Sequence, residues 1–311
     1  MRLLISTLLL FIIGITKSQT TIGVTQYNVP NTDGYILFSG ITSTQTYLID
    51  KCGKKVKQWS SSYKPGLSVH LLPNGDLFRT GLSSSSYFGT GGGKGGVLEK
   101  YDWNGNLTWS YTISDANQCQ HHDAIELPNG NIVAVVWERK TSTEAIANGK
   151  NPTIANALSN SELWTEKIVE LQPIGTNSAT IVWEWKAWDH LIQDFDNTKN
   201  NYGVVSQNPG LLNLNYVVTG PPGNSDWLHI NSIDYDEIKD QILLSSHSFG
   251  EFWIIDHSTT TAEAASHIGG LSGKGGDLLY RWGNPFTYGR RTVSDQKLFK
   301  QHHASYIKYG F

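Results

Sequence analysis

Hydrophobic and polar positions alternate along this chain in short runs, and the runs come in pairs. "SVHLLPNGDLFRTG" (68–81) and "HHDAIELPNGNIVAVV" (121–136) each hold one run, a Pro-Asn-Gly turn and a second run. Period-two alternation puts successive side chains on opposite faces of a strand, and an Asn-Gly turn between two such runs predicts a β-hairpin. "HINSIDYDEIKDQILLSS" (229–246) keeps both runs and replaces the turn with Asp236-Glu237-Ile238-Lys239. "HHASYIKYGF" (302–311) reads as the opening strand of a fourth copy.

A second pair of strands follows each hairpin and ends near a tryptophan. "GGVLEKYDWNGNLTWSY" (95–111) carries Trp109, and "KIVELQPIGTNSATIVWEWKAWDH" (167–190) carries Trp183 and Trp185. "EFWIIDHS" (251–258) with "DLLYRWGNP" (277–285) carries Trp282, and the N-terminal stretch 34–60 ends in Trp59. The repeating unit is four strands over roughly 55–70 residues, which predicts an all-β fold, a β-propeller of four-stranded blades. A β-sandwich does not require a recurring hairpin and tryptophan. About four blades are represented, and the chain stops inside what reads as the next one, so a longer natural protein is expected. Residues 140–163 and 191–225, rich in Asn, Ser, Thr, Gly and Pro, read as loops inserted between strands.

Composition agrees with short strands and tight turns: 31 Gly, 11 Trp and 14 Tyr stand against one Met. A net charge of −3 with 16% charged residues gives no basic surface for nucleic acid. Residues 1–19, "MRLLISTLLLFIIGITKSQ", have the basic start, apolar core and polar end of a signal peptide. The expected domain plan is therefore a leader over 1–19 and a propeller domain over 20–311, secreted or periplasmic and free of the membrane after cleavage. Cys52 and Cys119 are read either as one disulfide or as two buried thiols.

The candidate chemistry emerges when the repeats are aligned on their turns. His122 lies six residues before Pro128, His229 six before Tyr235 and His302 six before Lys308, while the first copy has Leu67. The first strand of a propeller blade is innermost, so equivalent positions face one another around the channel. Three imidazoles separated by 73 and 107 residues are thus expected to converge. Asn231 shares the strand face of His229 by the period of two. Asp123 is expected to orient an imidazole or cap its strand, and His121 and His303 to point away. His70 reads as packing, and His190, His257 and His267 as structural. Three neutral imidazoles can hold zinc, or one can act as a nucleophile while the others move protons and stabilise negative charge. Spacing does not separate these uses.

Five ordered segments resemble the bacterial arylsulfotransferase family: "WEWKAWDHL" (183–191), "DWLHINSIDYD" (226–236), "DHSTTTAEAASHIGG" (256–270), "GKGGDLLYRWGNP" (273–285) and "LFKQHHASYI" (298–307). The resemblance implies an exported six-bladed propeller that moves a sulfuryl group from an aryl sulfate to a phenol. The implied route is ping-pong, through a sulfohistidine, with neither a nucleotide donor nor a cofactor. It also implies His302 as nucleophile in the "QH" motif, His229 and Asn231 as the "H-x-N" pair on the sulfuryl group, and His122 as the earlier channel histidine. His247 stands where the family pattern places an arginine, which leaves weaker anion binding, a different pH optimum or loss of the activity open; Arg281, Arg290 and Arg291 are the other cations considered, without being assigned to the site. The same residues are open to two other readings: a metal-dependent hydrolase, or a non-catalytic propeller that binds a ligand. The glycine-rich "GTGGGKGG" (89–96) and "SGKGGD" (272–277) do not join a strand to a helix and read as blade loops, not phosphate cradles.

Overall fold

The computed structural model describes residues 34–89, 92–216 and 224–307. The leader expected at 1–19 lies outside these residues. The first sheet is β1 (Ile36–Ser39), β2 (Gln45–Ile49) and β3 (Lys55–Ser60); the second is β4 (Pro65–Leu71), β5 (Leu77–Leu82), β6 (Gly96–Tyr101) and β7 (Leu107–Thr112). The third holds β8 (Gln118–Glu126), β9 (Ile132–Thr141), β10 (Glu162–Ile174) and β11 (Ser178–Lys186). A short parallel pair, β12 (Leu191–Ile192) and β13 (Leu212–Asn213), precedes the fourth sheet: β14 (Ile230–Asp236), β15 (Gln241–Ser246), β16 (Glu251–Asp256) and β17 (Tyr280–Trp282). Within the four larger sheets every neighbouring pair is antiparallel and sequential, and β8 packs against both β4 and β14. The fold is all-β and propeller-like, with the opening strands of successive sheets side by side.

The recurrent tryptophan is a latch between sheets. Trp59 donates its indole N–H to the Asp102 carbonyl (2.9 Å), and Trp109 to the Ser178 carbonyl (2.9 Å). Trp183 donates to Thr259 Oγ1 (3.1 Å) and Trp185 to the Gly276 carbonyl (2.7 Å). Each ring leaves the last strand of its sheet, buries against the next sheet and keeps its one polar atom paired, as a buried indole requires. Trp109→Ala should destabilise by about 3–5 kcal/mol in chemical denaturation. Trp109→Phe should recover most of this, less about 1 kcal/mol for the lost hydrogen bond.

A polar latch joins the third and fourth sheets. His257 Nδ1 lies 2.6 Å from Asp240 Oδ1 and its Nε2 lies 3.1 Å from Glu170 Oε2. Burial opposes its charge, yet the two carboxylates win and raise its pKa. Glu170 is likewise opposed by burial but lowered by His257 and Asn131. The histidine's contribution is full below about pH 6.5 and fades as pH rises through its raised value; that of Glu170 is full above about pH 4.5 and fades below. Stability measured by denaturation should therefore decline above about pH 6.5. In His257→Gln that portion of the slope should disappear.

The described parts of the two long insertions carry short helices and strands. β9 runs on to Thr141, where a capping box with Glu144 starts helix α1 (Ser142–Ala147), followed by α2 (Pro152–Ala155). In the second insertion Val205, Leu212 and Leu214 are buried, so apolar positions spaced within a polar stretch still find the core. Cys52 is exposed and Cys119 buried, both as free thiols, so neither expected arrangement holds. Residues 301–307 form no strand ladder. They run beside β14 through side chains instead: Ala304 N–H donates to Ser232 Oγ (3.0 Å) and Tyr306 N–H to Asp234 Oδ2 (2.7 Å). Residues 308–311 lie outside the described ones. Among the described residues no helix is long and apolar enough to cross a membrane.

Candidate active site

The opening strands carry a bulge at the aligned position. Leu67, His122 and His229 all have positive φ (+81°, +48° and +50°), and the ladders of β4, β8 and β14 with their neighbours shift register beside them. A non-glycine residue in the left-handed region costs about 1–2 kcal/mol, and a bulge re-aims the side chain it carries. In the last segment positive φ falls on Lys300 and His303, so the backbone equivalence expected for His302 does not hold.

The imidazoles nevertheless converge. Ring nitrogens of His122, His229 and His302 lie within 4.8 Å of one another. Ring centroids are 4.6 Å apart for His122 and His229, 6.3 Å for His122 and His302, and 6.5 Å for His229 and His302. His247 joins them, 4.6 Å from His229 and 5.2 Å from His302. The rings of His122 and His302 border a cavity of about 290 Å3 that is also lined by His70, Asp123, Asn231 and His303. His302 is exposed and His122 buried.

Burial, with the charge of His229 next, holds His122 down at about 3. The same two causes hold His247 at about 4. Both are neutral imidazoles at neutral pH, so His247 does not replace an arginine's charge. His302 and, last, Lys300 push His247 in the same direction. Two of the other cations considered are engaged elsewhere: Arg281 pairs with Glu251 (2.6 Å) and Arg290 donates to the Ser206 carbonyl (2.9 Å).

The supporting residues give the two family motifs a physical basis. Asn231 Nδ2 donates to the Gln301 carbonyl (2.7 Å), and Gln301 Nε2 donates to the Glu251 (2.8 Å) and Ser246 (3.0 Å) carbonyls. The pair therefore pins the segment bearing His302 onto β14–β16. Asn231 is a tether first, and its Oδ1 has no partner among the described residues. His229 Nδ1 contacts Asp226 Oδ2 at 2.5 Å, and Asp226 Oδ1 accepts the Trp137 indole N–H at 3.0 Å. This backing carboxylate was legible in "DWLHINSIDYD" only as a nearby acid.

Asp123 contacts an imidazole, as expected, but that of His70 at the cavity wall (Nε2 3.6 Å from Oδ1) and not one of the converging cluster. It accepts from Ser68 Oγ (2.7 Å) and the Ile233 N–H (3.1 Å), tying β4, β8 and β14 together. Burial would raise its pKa, but His70, Ser68 and the Ile233 N–H outweigh that and lower it. His70 packs on Phe78 as expected and also meets Ser68 Oγ (2.9 Å) at the cavity wall. His121 does not turn away from the site: it stacks on Trp137 (4.0 Å, 5°), and its Nδ1 lies 3.0 Å from that of His122. Glu166 sits behind it, 4.0 Å from Nε2, pushed well above the carboxylate range by burial and by Asp226. The glycine loop also reaches the site. The Gly93 carbonyl accepts the His122 N–H (2.6 Å), and a Cβ at Gly93 would lie 1.9 Å from the His122 ring.

Residues 32–261 match the family model for arylsulfotransferase (ASST). The chain belongs to that family. The match ends before His302, so the arylsulfotransferase region identified this way contains His122, His229, Asn231 and His247 but not the "QH" segment. No curated protein matches this arylsulfotransferase-family chain. Among solved structures, Kuenenia stuttgartiensis hydrazine synthase is similar at 15% identity and a TM-score of 0.41, covering 79% of this chain and 58% of that one. The chain thus spans little more than half the length of that protein. Selenomethionine-substituted virginiamycin B lyase from Staphylococcus aureus is similar at 11% identity and a TM-score of 0.28, covering 73% of this chain and 79% of that one.

Proposed function

We propose that the histidine cluster transfers a sulfuryl group from an aryl sulfate to a phenol by a ping-pong route. The observation that carries this is the convergence of His122, His229 and His302 on one point beside a cavity, with His229 backed by Asp226. A neutral ring nitrogen of exposed His302 attacks sulfur; the N–S bond forms as the S–O(aryl) bond breaks. His229, protonated and held by Asp226, gives its proton to the departing phenolate. It then takes the proton of the incoming phenol, whose oxygen attacks sulfur and releases His302. His122, His247 and Lys300 surround the sulfuryl oxygens, and Asn231 keeps His302 in place. Neutral imidazoles donate hydrogen bonds to the anion without a permanent charge, so substrate binding should be weaker than with an arginine at 247. An exported location belongs to the same proposal and rests on the sequence of residues 1–19.

A second reading has support in the same geometry. Three ring nitrogens within 4.8 Å can hold zinc, and a histidine backed by a carboxylate suits a metal ligand. The deciding experiment incubates the full chain with 4-nitrophenyl sulfate, with and without phenol, and follows nitrophenol release, intact mass and bound metal. Acceptor-dependent release with a sulfuryl adduct supports transfer. Stoichiometric metal at this cluster and no adduct supports the hydrolase.

A further inference from the structure

Ligating side chains meet a second time, in a group that shares no residue with the cluster. His190 closes the turn after β11, His267 follows helix α3 (Thr261–Ala264), and Asp277 ends the glycine-rich stretch before β17. Asp277 Oδ1 lies 2.9 Å from His190 Nδ1 and 2.7 Å from His267 Nδ1. His190 is fully buried and stacked on Trp185 (5.7 Å, 6°), with Nε2 2.8 Å from the Ala264 carbonyl. A carbonyl only accepts, so Nε2 carries a proton. In a neutral imidazole that leaves a bare lone pair at Nδ1, aimed at a carboxylate oxygen. Two lone pairs repel at this distance, whereas a cation between them is bound by both.

A ligand imidazole whose second nitrogen is held by a backbone carbonyl is the usual second-layer arrangement of metal sites. The glycine of "SGKGGD" next to Asp277 makes this possible: a Cβ at Gly276 would lie 2.5 Å from His190 Nε2 and 2.0 Å from the Ala264 carbonyl oxygen. All three donor atoms lie within 4.8 Å of one another. His267, exposed, also lines a cavity of about 420 Å3 with Trp188, Asp189, Asn201 and Tyr202.

We infer that His190 Nδ1, His267 Nδ1 and Asp277 Oδ1 form a binding site for a divalent transition-metal ion of the zinc class, with a fourth position facing this second cavity. Two imidazoles and one carboxylate suit such an ion at bond lengths of about 2.0–2.2 Å. Tetrahedral binding places donors roughly 3.3 Å apart, so the two contacts to Asp277 need to open by a few tenths of an ångström, while exposed His267 is the side chain that adjusts its distance to His190. The ion ties the turn after β11, the end of α3 and the glycine loop together, and its open position takes water or a small anion.

The test uses the full chain, stripped with a chelator and titrated with Zn2+ or Co2+. His302→Ala serves as the background, because it dismantles the other histidine trio. Expected are one equivalent of Zn2+ bound by His302→Ala, visible d–d bands in its Co2+ form, and binding at least about 100-fold weaker once His267→Ala is added. Circular dichroism checks that His267→Ala, an exposed position, leaves the fold intact. Absence of stoichiometric binding in the His302→Ala protein overturns the site. So does binding that survives both His267→Ala and Asp277→Asn.

Discussion

His302→Ala is expected to lower acceptor-dependent nitrophenol release by at least about 10^3-fold and to abolish the sulfuryl adduct. The reason is geometric. His302 is the exposed member of the cluster, while His122 is buried and His229 is committed through Nδ1 to Asp226. The substitution should cost little stability, because an exposed imidazole leaves no buried partner behind. Intact-mass measurement after incubation with 4-nitrophenyl sulfate alone separates the steps: the unaltered chain should gain one sulfuryl group, and the variant none. A variant that still forms the adduct would move the nucleophile to another ring. His229 would be the next candidate by position.

Asp226→Asn should be nearly as severe, with a loss in kcat of about 10^2–10^4-fold and little change in KM. Asp226 accepts from both sides, the Trp137 indole N–H at 3.0 Å and His229 Nδ1 at 2.5 Å. An asparagine must keep its oxygen toward the indole, so its amide N–H turns to His229 Nδ1. That forces Nδ1 to accept and places the ring's proton on Nε2, the opposite of what Asp226 sets. The imidazole keeps its position but loses both the carboxylate that stabilises its charged form and the tautomer needed to take a proton from the acceptor phenol. The readout that distinguishes this from damage to the fold is the pH profile of kcat, which should change shape while the adduct still forms slowly. An unchanged profile with an unchanged rate would remove His229 from proton transfer.

Much of the architecture could be read in the chain because its signals are local. Alternation of two, Pro-Asn-Gly turns and a tryptophan at the end of each unit depend only on neighbours a few residues apart, and these marked the four-stranded sheets. Register held in backbone terms for His122 and His229, where a repeated strand start repeats its direction; His302 converges with them without that equivalence. Register erred at His121, because a bulge rotates the backbone and a two-residue period no longer tells which way a side chain points, and at His303, which lies in no strand. The insertions were misread as loops because their apolar residues have no period, and burial of Leu212 and Leu214 depends on what packs above them.

Partnerships across long separations lay beyond any local pattern. Asp226 reached His229 three residues away, yet its second partner, Trp137, is 89 residues distant. Gly93 against His122, Glu166 behind His121, and Asp277 between His190 and His267 likewise come together only in the tertiary fold. Residue type and spacing set the strands, their turns and the ring of candidate histidines. Which imidazoles stay neutral, which are backed by a carboxylate and which segment holds His302 in place follow from burial and distance, quantities that exist only once the sheets have packed.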